Sequence, residues 1–157
     1  MWLTVEDARE KFPGAWIGSG AVIESGAVIE RGARIERGAR IESDARIKRG
    51  ARIGSDAWIG SGAEIKSGAR IESGAVIGKN RKGVTRAIAI TTSTEYTLTG
   101  FLCDDGLIVT AGCMGDYAGL PPDDARKWIE ANHGDKLALY DAFMVAVCAY
   151  LEPKKGE

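Results

Sequence analysis

The residues able to do chemistry are few. The 157-residue chain holds one histidine, His133, and three cysteines, Cys103, Cys113 and Cys148. A lone histidine can act as a general base, because its charge changes near neutral pH. His133 is the catalytic candidate for that reason. It also stands in Asn132-His133-Gly134-Asp135, where a helix is expected to end, and a histidine there suits the last free carbonyls. Cys113 is a possible nucleophile, yet nothing around it marks a lowered thiol pKa. The cysteines form no CxxC pair and no zinc-ligand spacing, so no metal is assigned. All three read as buried small hydrophobes. Asp104, Asp105 and Asp116 could imitate a carboxylate site, although turns routinely carry Asp.

Composition narrows the classes further. Lys and Arg total 21 against 22 Asp and Glu, a net charge of −1, which argues against a nucleic-acid partner. No run approaches the ~18 apolar residues of a membrane span. The first residues, MWLTVEDAREKF, are acidic where an export signal needs an apolar core. An odd, small number of cysteines suits a reducing compartment, so a cytoplasmic location is expected.

The elements that must position any site begin with a repeat. From Ala15 to Asn80 the chain consists of eleven six-residue units, AWIGSG, AVIESG, AVIERG and so on, without insertion. Ile holds one slot in every unit, from Ile17 to Ile77, and Ala sits two residues before it. A period of six marches around a helix but fits short strands with alternating side chains. Ala and Ile then share the inner face, and the residue between them points out. Each unit ends in Gly, Asp or Asn, the types that tolerate φ > 0. Strands this short cannot bury a face alone, so the units must coil and stack.

This pattern resembles the hexapeptide repeat of left-handed β-helix proteins, carried by Ile17-Gly18-Ser19-Gly20-Ala21-Val22 and its successors. The resemblance covers residues 15–80. It implies three units per coil, somewhat under four coils, and Ile17, Ile35, Ile53 and Ile71 in one stack. It also implies a homotrimer, and for many members acyl transfer from a CoA thioester with a His base. The array contains no His and no projecting loop. The three-His zinc site of the related γ-type carbonic anhydrases cannot form from one His.

An eighteen-residue coil sorts the outward residues into three faces. One carries Arg34, Arg52 and Arg70 below Trp16, with Glu36 and Glu72 beside them and only Gly54 beside Arg52. Arg suits bidentate contact with phosphate, so this row is a candidate site for a small anionic or nucleotide-like ligand; a solvated salt-bridge lattice is the alternative. A second face carries Val22, Arg40, Trp58 and Val76, and its apolar members Val22, Trp58 and Val76 are the candidate oligomer interface. The third pairs Arg46 with Glu64 and Glu30 with Lys48.

Flanking segments complete three regions. Residues 1–14 form an N-terminal capping helix over 4–12, with Thr4 as N-cap. Residues 15–80 form the β-helix. Residues 81–157 form an α+β domain with strands over 84–91, 95–102 and 107–113 and a turn at Asp104-Asp105-Gly106. Two helices follow, the second N-capped by Asp135, and the tail EPKKGE, residues 152–157, is expected to fray. The expected fold is thus mainly β: a left-handed parallel β-helix with an N-terminal helix and a small C-terminal α+β unit. The expected function is a non-catalytic trimeric scaffold without a cofactor. The alternatives are a CoA-dependent acyltransferase and a binder of small anions at subunit junctions. Such uniform repetition points to a structural role, recent duplication or design.

Overall fold

A computed structural model of the chain describes residues 1–91, 97–111 and 119–151. Its elements open with strand β1 (Trp2–Leu3) and helix α1 (Val5–Lys11). The repeat units then give β2 (Trp16–Ile17), β3 (Val22–Glu24), β4 (Val28–Ile29), β5 (Arg34–Ile35), β6 (Arg40–Ile41) and β7 (Arg46–Ile47). They continue as β8 (Arg52–Ile53), β9 (Trp58–Ile59), β10 (Glu64–Ile71) and β11 (Val76–Ile77). Every third unit pairs in parallel, so β2, β5, β8 and β10 form one side, with Ile17, Ile35, Ile53 and Ile71 in register. A second side joins β3, β6, β9 and β11. The third joins β4, β7 and the start of β10. The molecule is a β-solenoid with three units to the turn.

Its interior is built from the Ile and Ala slots alone. Every repeat Ile is buried, as is every repeat Ala from Ala21 onward, while the residue between them faces out. Each buried Ile contributes about 1.5–3 kcal/mol relative to exposure. The unit-ending residues take positive φ, including Asp44 at 61°, Asp56 at 59° and Asn80 at 58°. Gly26 is the exception. It lies at the corner joined by the N-terminal strand, where the Ser25 N–H donates to Met1 O at 2.8 Å.

Both ends of the solenoid are covered, as a stacked coil requires. Thr4 Oγ1 accepts the Asp7 N–H at 3.0 Å, capping α1, and Ala8 buries against the first coil. Arg9 reaches the free carbonyl of Ile17 through Nε and Nη2, and Lys11 Nζ reaches that of Ser25 at 2.6 Å. Strand β1, antiparallel to β3, was not foreseen.

At the far end β12 (Val84–Thr91) adds in parallel to β10, and β13 (Thr97–Cys103) and β14 (Gly106–Ala111) follow antiparallel. The expected hairpin register, Leu102 opposite Leu107, is present. One face of this sheet sets Ala87, Phe101 and Ile108 into the solenoid core. The other sets Leu98, Val109 and Ala111 against α2 (Pro122–Asn132) and α3 (Leu137–Leu151). Gly100 lets α3 settle on β13, since a Cβ there would stand 3.0 Å from Val147 Cγ2. Helical spacing on α3 puts Tyr140, Phe143, Met144, Val147 and Leu151 on one face; four of them are buried, and Met144 is half-buried at its edge.

Three expectations are corrected. Asp135 does not cap α3 but lies inside a 3₁₀ turn, Gly134–Lys136, which runs directly into the helix. Cys148 is exposed, because α3 is apolar on its outer side too and residue type there does not report burial, and Cys103 is half-buried, because it ends β13 at the hairpin turn opposite Gly106. Glu30 does not pair with Lys48: its carboxylate accepts the Arg49 N–H at 2.9 Å, and Lys48 meets Glu64 at 3.8 Å instead. The expected start of the second strand, 95–96, the expected end of the third, 112–113, and the tail lie outside the described residues. Among the described residues no helix is long and apolar enough to cross a membrane.

Candidate functional site

Parallel pairing at fixed register turns a repeated outward residue into a ladder, with steps of ~4.8 Å. Trp16, Arg34, Arg52 and Arg70 form such a ladder. The structure extends it by one rung that sequence reasoning missed, because Arg70 is opposite Arg86 of β12. Counting eighteen residues on from Arg70 leads to Ile88, and only an irregularity in the β10–β12 pairing brings Arg86 into line. Aromatic rings close both ends. The Arg34 guanidinium lies 4.7 Å from the Trp16 ring centroid, and that of Arg86 lies 4.5 Å from Tyr150.

The rungs differ in neutralisation. Arg34 Nε donates to Glu36 Oε1 at 2.8 Å. Arg70 Nε stands 3.9 Å from Glu72 Oε1, which also accepts the Tyr150 hydroxyl at 2.8 Å. The Arg52 side chain makes neither a hydrogen bond nor an ion pair among the described residues, since its neighbour on the strand is Gly54. Two shallow grooves flank it. One of about 370 Å³ runs along the glycine corners Gly32, Gly50 and Gly68. The other, about 330 Å³, is bounded by Glu36, Gly54, Ser55, Arg70, Glu72 and Ser73.

The face bearing Val22, Trp58 and Val76 is partly occupied by its own residues. Arg40 sits between two indoles, 4.7 Å from Trp2 and 5.2 Å from Trp58. Trp58 Nε1 donates to Glu42 Oε1 at 2.8 Å. Val22 remains exposed, and a groove of about 170 Å³ separates Trp58 and Val76 from Glu42 and Lys79. The Val76 N–H donates to the buried Thr99 Oγ1 at 3.0 Å, a bond from the C-terminal sheet to the last coil.

The remaining candidates stand apart from both faces. His133 ends α2, its N–H donating to Ile129 O at 2.6 Å, with its ring 5.6 Å from Trp128. Asp104 and Asp105 belong to the hairpin turn, where Lys66 and Arg81 pair with them at 3.6 and 3.2 Å. Burial raises the Cys103 thiol pKa, the opposite of activation. Cys113 and Asp116 lie outside the described residues. Among the described residues no three His, Cys, Asp or Glu side chains gather as metal ligands.

Fold and faces together define a β-solenoid with one arginine-lined side. No family model and no curated protein matches the chain. Among solved structures it is similar to the acetyltransferase domain of PglB from Neisseria gonorrhoeae FA1090, at 24% identity and a TM-score of 0.34. The match covers 43% of this chain and 42% of that one, so the chain spans less than half of its length. No activity is transferred from a likeness of that extent.

Proposed function

We propose that the chain is a non-catalytic scaffold of the hexapeptide-repeat type, which assembles as a homotrimer and holds its C-terminal α+β unit in a fixed position. The observation that supports this most is continuity. One sheet runs β14-β13-β12-β10-β8-β5-β2, and Phe101 and Ile108 share a core with the repeat isoleucines. A unit built into the last coil is carried rigidly, which suits presentation. The coils carry no projecting loop, and His133 is engaged at a helix end, so acyl transfer from a CoA thioester is not assigned.

The seam for assembly is the Val22, Trp58 and Val76 face, where Val22 is exposed and the half-buried Trp58 and Val76 line a groove. Light scattering at micromolar concentration should give three times the 16.7 kDa chain mass. Trp58→Glu, which places a charge in the seam, should give monomers or aggregates. A monomeric unmodified protein removes the trimer. Release of free thiol from acetyl-CoA with amine or hydroxyl acceptors removes the non-catalytic assignment.

A further inference from the structure

The solenoid displays what its own corners bind. On two faces the residue after the repeat Ile is a glutamate that reaches one coil onward and accepts a backbone N–H. Glu24 takes that of Ser43 at 2.9 Å, Glu30 that of Arg49 at 2.9 Å, and Glu42 that of Ser61 at 3.0 Å. The arginine face breaks this pattern. Its equivalent donors include the N–H groups of Ser55 and Ser73, and neither has a protein acceptor among the described residues. The residues that should supply the carboxylates are Glu36 and Gly54. Glu36 turns back to Arg34 on its own strand, and Gly54 has no side chain.

These donors line the groove that Arg52 and Arg70 also line. An N–H that elsewhere holds a carboxylate oxygen here faces a cleft with two guanidiniums. One of those, Arg52, has no carboxylate of its own. The flanking acids are engaged, Glu36 by Arg34, and Glu72 by the Tyr150 hydroxyl and, at 3.9 Å, by Arg70. We propose that this groove binds a phosphate group, with the Ser55 and Ser73 N–H groups and the Arg52 and Arg70 guanidiniums as its donors. The forks of two arginines suit the several oxygens of a phosphate better than the two of a carboxylate. The site is independent of the assembly proposed above, because it lies on a different face from Val22 and Trp58.

The test is a titration of the full-length protein with inorganic phosphate, followed by amide ¹H–¹⁵N chemical shifts. Sodium chloride at matched ionic strength serves as the reference, because exposed charges respond to salt alone. The Ser55 and Ser73 amides should shift saturably, with half-saturation at roughly millimolar phosphate or below. The Ser43, Arg49 and Ser61 amides, already bonded to glutamates, should stay still. Arg52→Gln should weaken the effect roughly tenfold, the loss of one charge-assisted contact, while leaving the rest of the spectrum unchanged. Arg70→Gln provides a second variant with the same expectation. Absence of saturation, shifts matched by chloride, or an unaltered response in both variants overturns the proposal. Acetate saturating as tightly as phosphate overturns the assignment to phosphate.

Discussion

The solenoid and the C-terminal unit bury comparable side chains by opposite strategies. From Ala15 to Asn80 the core is one Ile and one Ala per unit, repeated, and each contacts its counterparts one coil away. Such a stack is close to one-dimensional, so any one position is backed by identical neighbours. Beyond Val84 nothing repeats. Phe101 closes the end of the solenoid core beside Ala87 and Ile108, the Tyr140 hydroxyl ties α3 to Pro122 at the start of α2, and the Thr99 hydroxyl holds the Val76 N–H of the last coil. Redundancy should make the first region tolerant, and singularity should make the second brittle.

That contrast is broken or sharpened most strongly at the core. Phe101→Ala should cost about 3–5 kcal/mol, whereas Ile47→Ala, a truncation to the same residue inside the repeats, should fall at the low end of about 2–5 kcal/mol, both read by urea denaturation. Equal costs would dissolve the distinction. At the junction, Thr99→Val should cost about 1 kcal/mol, because it leaves the half-buried Val76 N–H without its acceptor. Thr99→Ser keeps the hydroxyl and should recover most of that loss. Within the repeats, Gly68 has φ +72° and open space around it, so Gly68→Val should cost ~1–2 kcal/mol through backbone strain alone. Gly68→Asn should be milder, since Asn80 holds the same slot at φ 58°.

The mildest effect is one of pH. The Tyr140 hydroxyl donates to Pro122 O at 2.6 Å, and burial, with the nearby Asp123 and Asp141 charges, pushes its pKa from 10.0 up to about 12. A pKa raised by folding means the native state holds its proton more tightly. The stability it contributes is therefore complete below the ordinary tyrosine pKa and is lost as pH rises through about 12. Denaturation midpoints measured from pH 9 to 12 should fall less steeply in Tyr140→Phe than in the unmodified protein.

Legibility in the sequence divides along the same line. The solenoid was readable because its information is local: three slots in each six residues specify strand, inner face and turn. The rows of Arg34, Arg52 and Arg70 and the isolation of Arg52 followed from the eighteen-residue coil. What escaped depends on register between segments that do not repeat. Arg86 joins the ladder only through an irregular pairing, and Trp2 reaches Arg40 only because β1 adds antiparallel to β3. The glutamate carboxylates that hold N–H groups nineteen residues on could have been suspected from Glu24, Glu30 and Glu42 sharing a slot. Their bonds become visible only with the coil in three dimensions. Within the C-terminal unit, periodicity located the helices, yet the exposure of Cys148 was hidden by an outer face as apolar as the inner one.

Despite their different construction, the two regions share one continuous sheet, and the sheet face bearing Ala87, Phe101 and Ile108 belongs to the solenoid core. Native-state hydrogen exchange in increasing urea tests that continuity most directly. The Glu72 N–H donates to Ala87 O and the Val76 N–H to Thr99 Oγ1, so both amides report on the junction. The Glu36 and Arg40 N–H groups donate to Ile53 O and Ala57 O inside the coils. Protection of all four should agree within about tenfold, or ~1.4 kcal/mol, and converge as urea rises. Rapid exchange of Glu72 and Val76 while Glu36 and Arg40 stay protected would mean that the C-terminal unit detaches on its own, and would contradict the account.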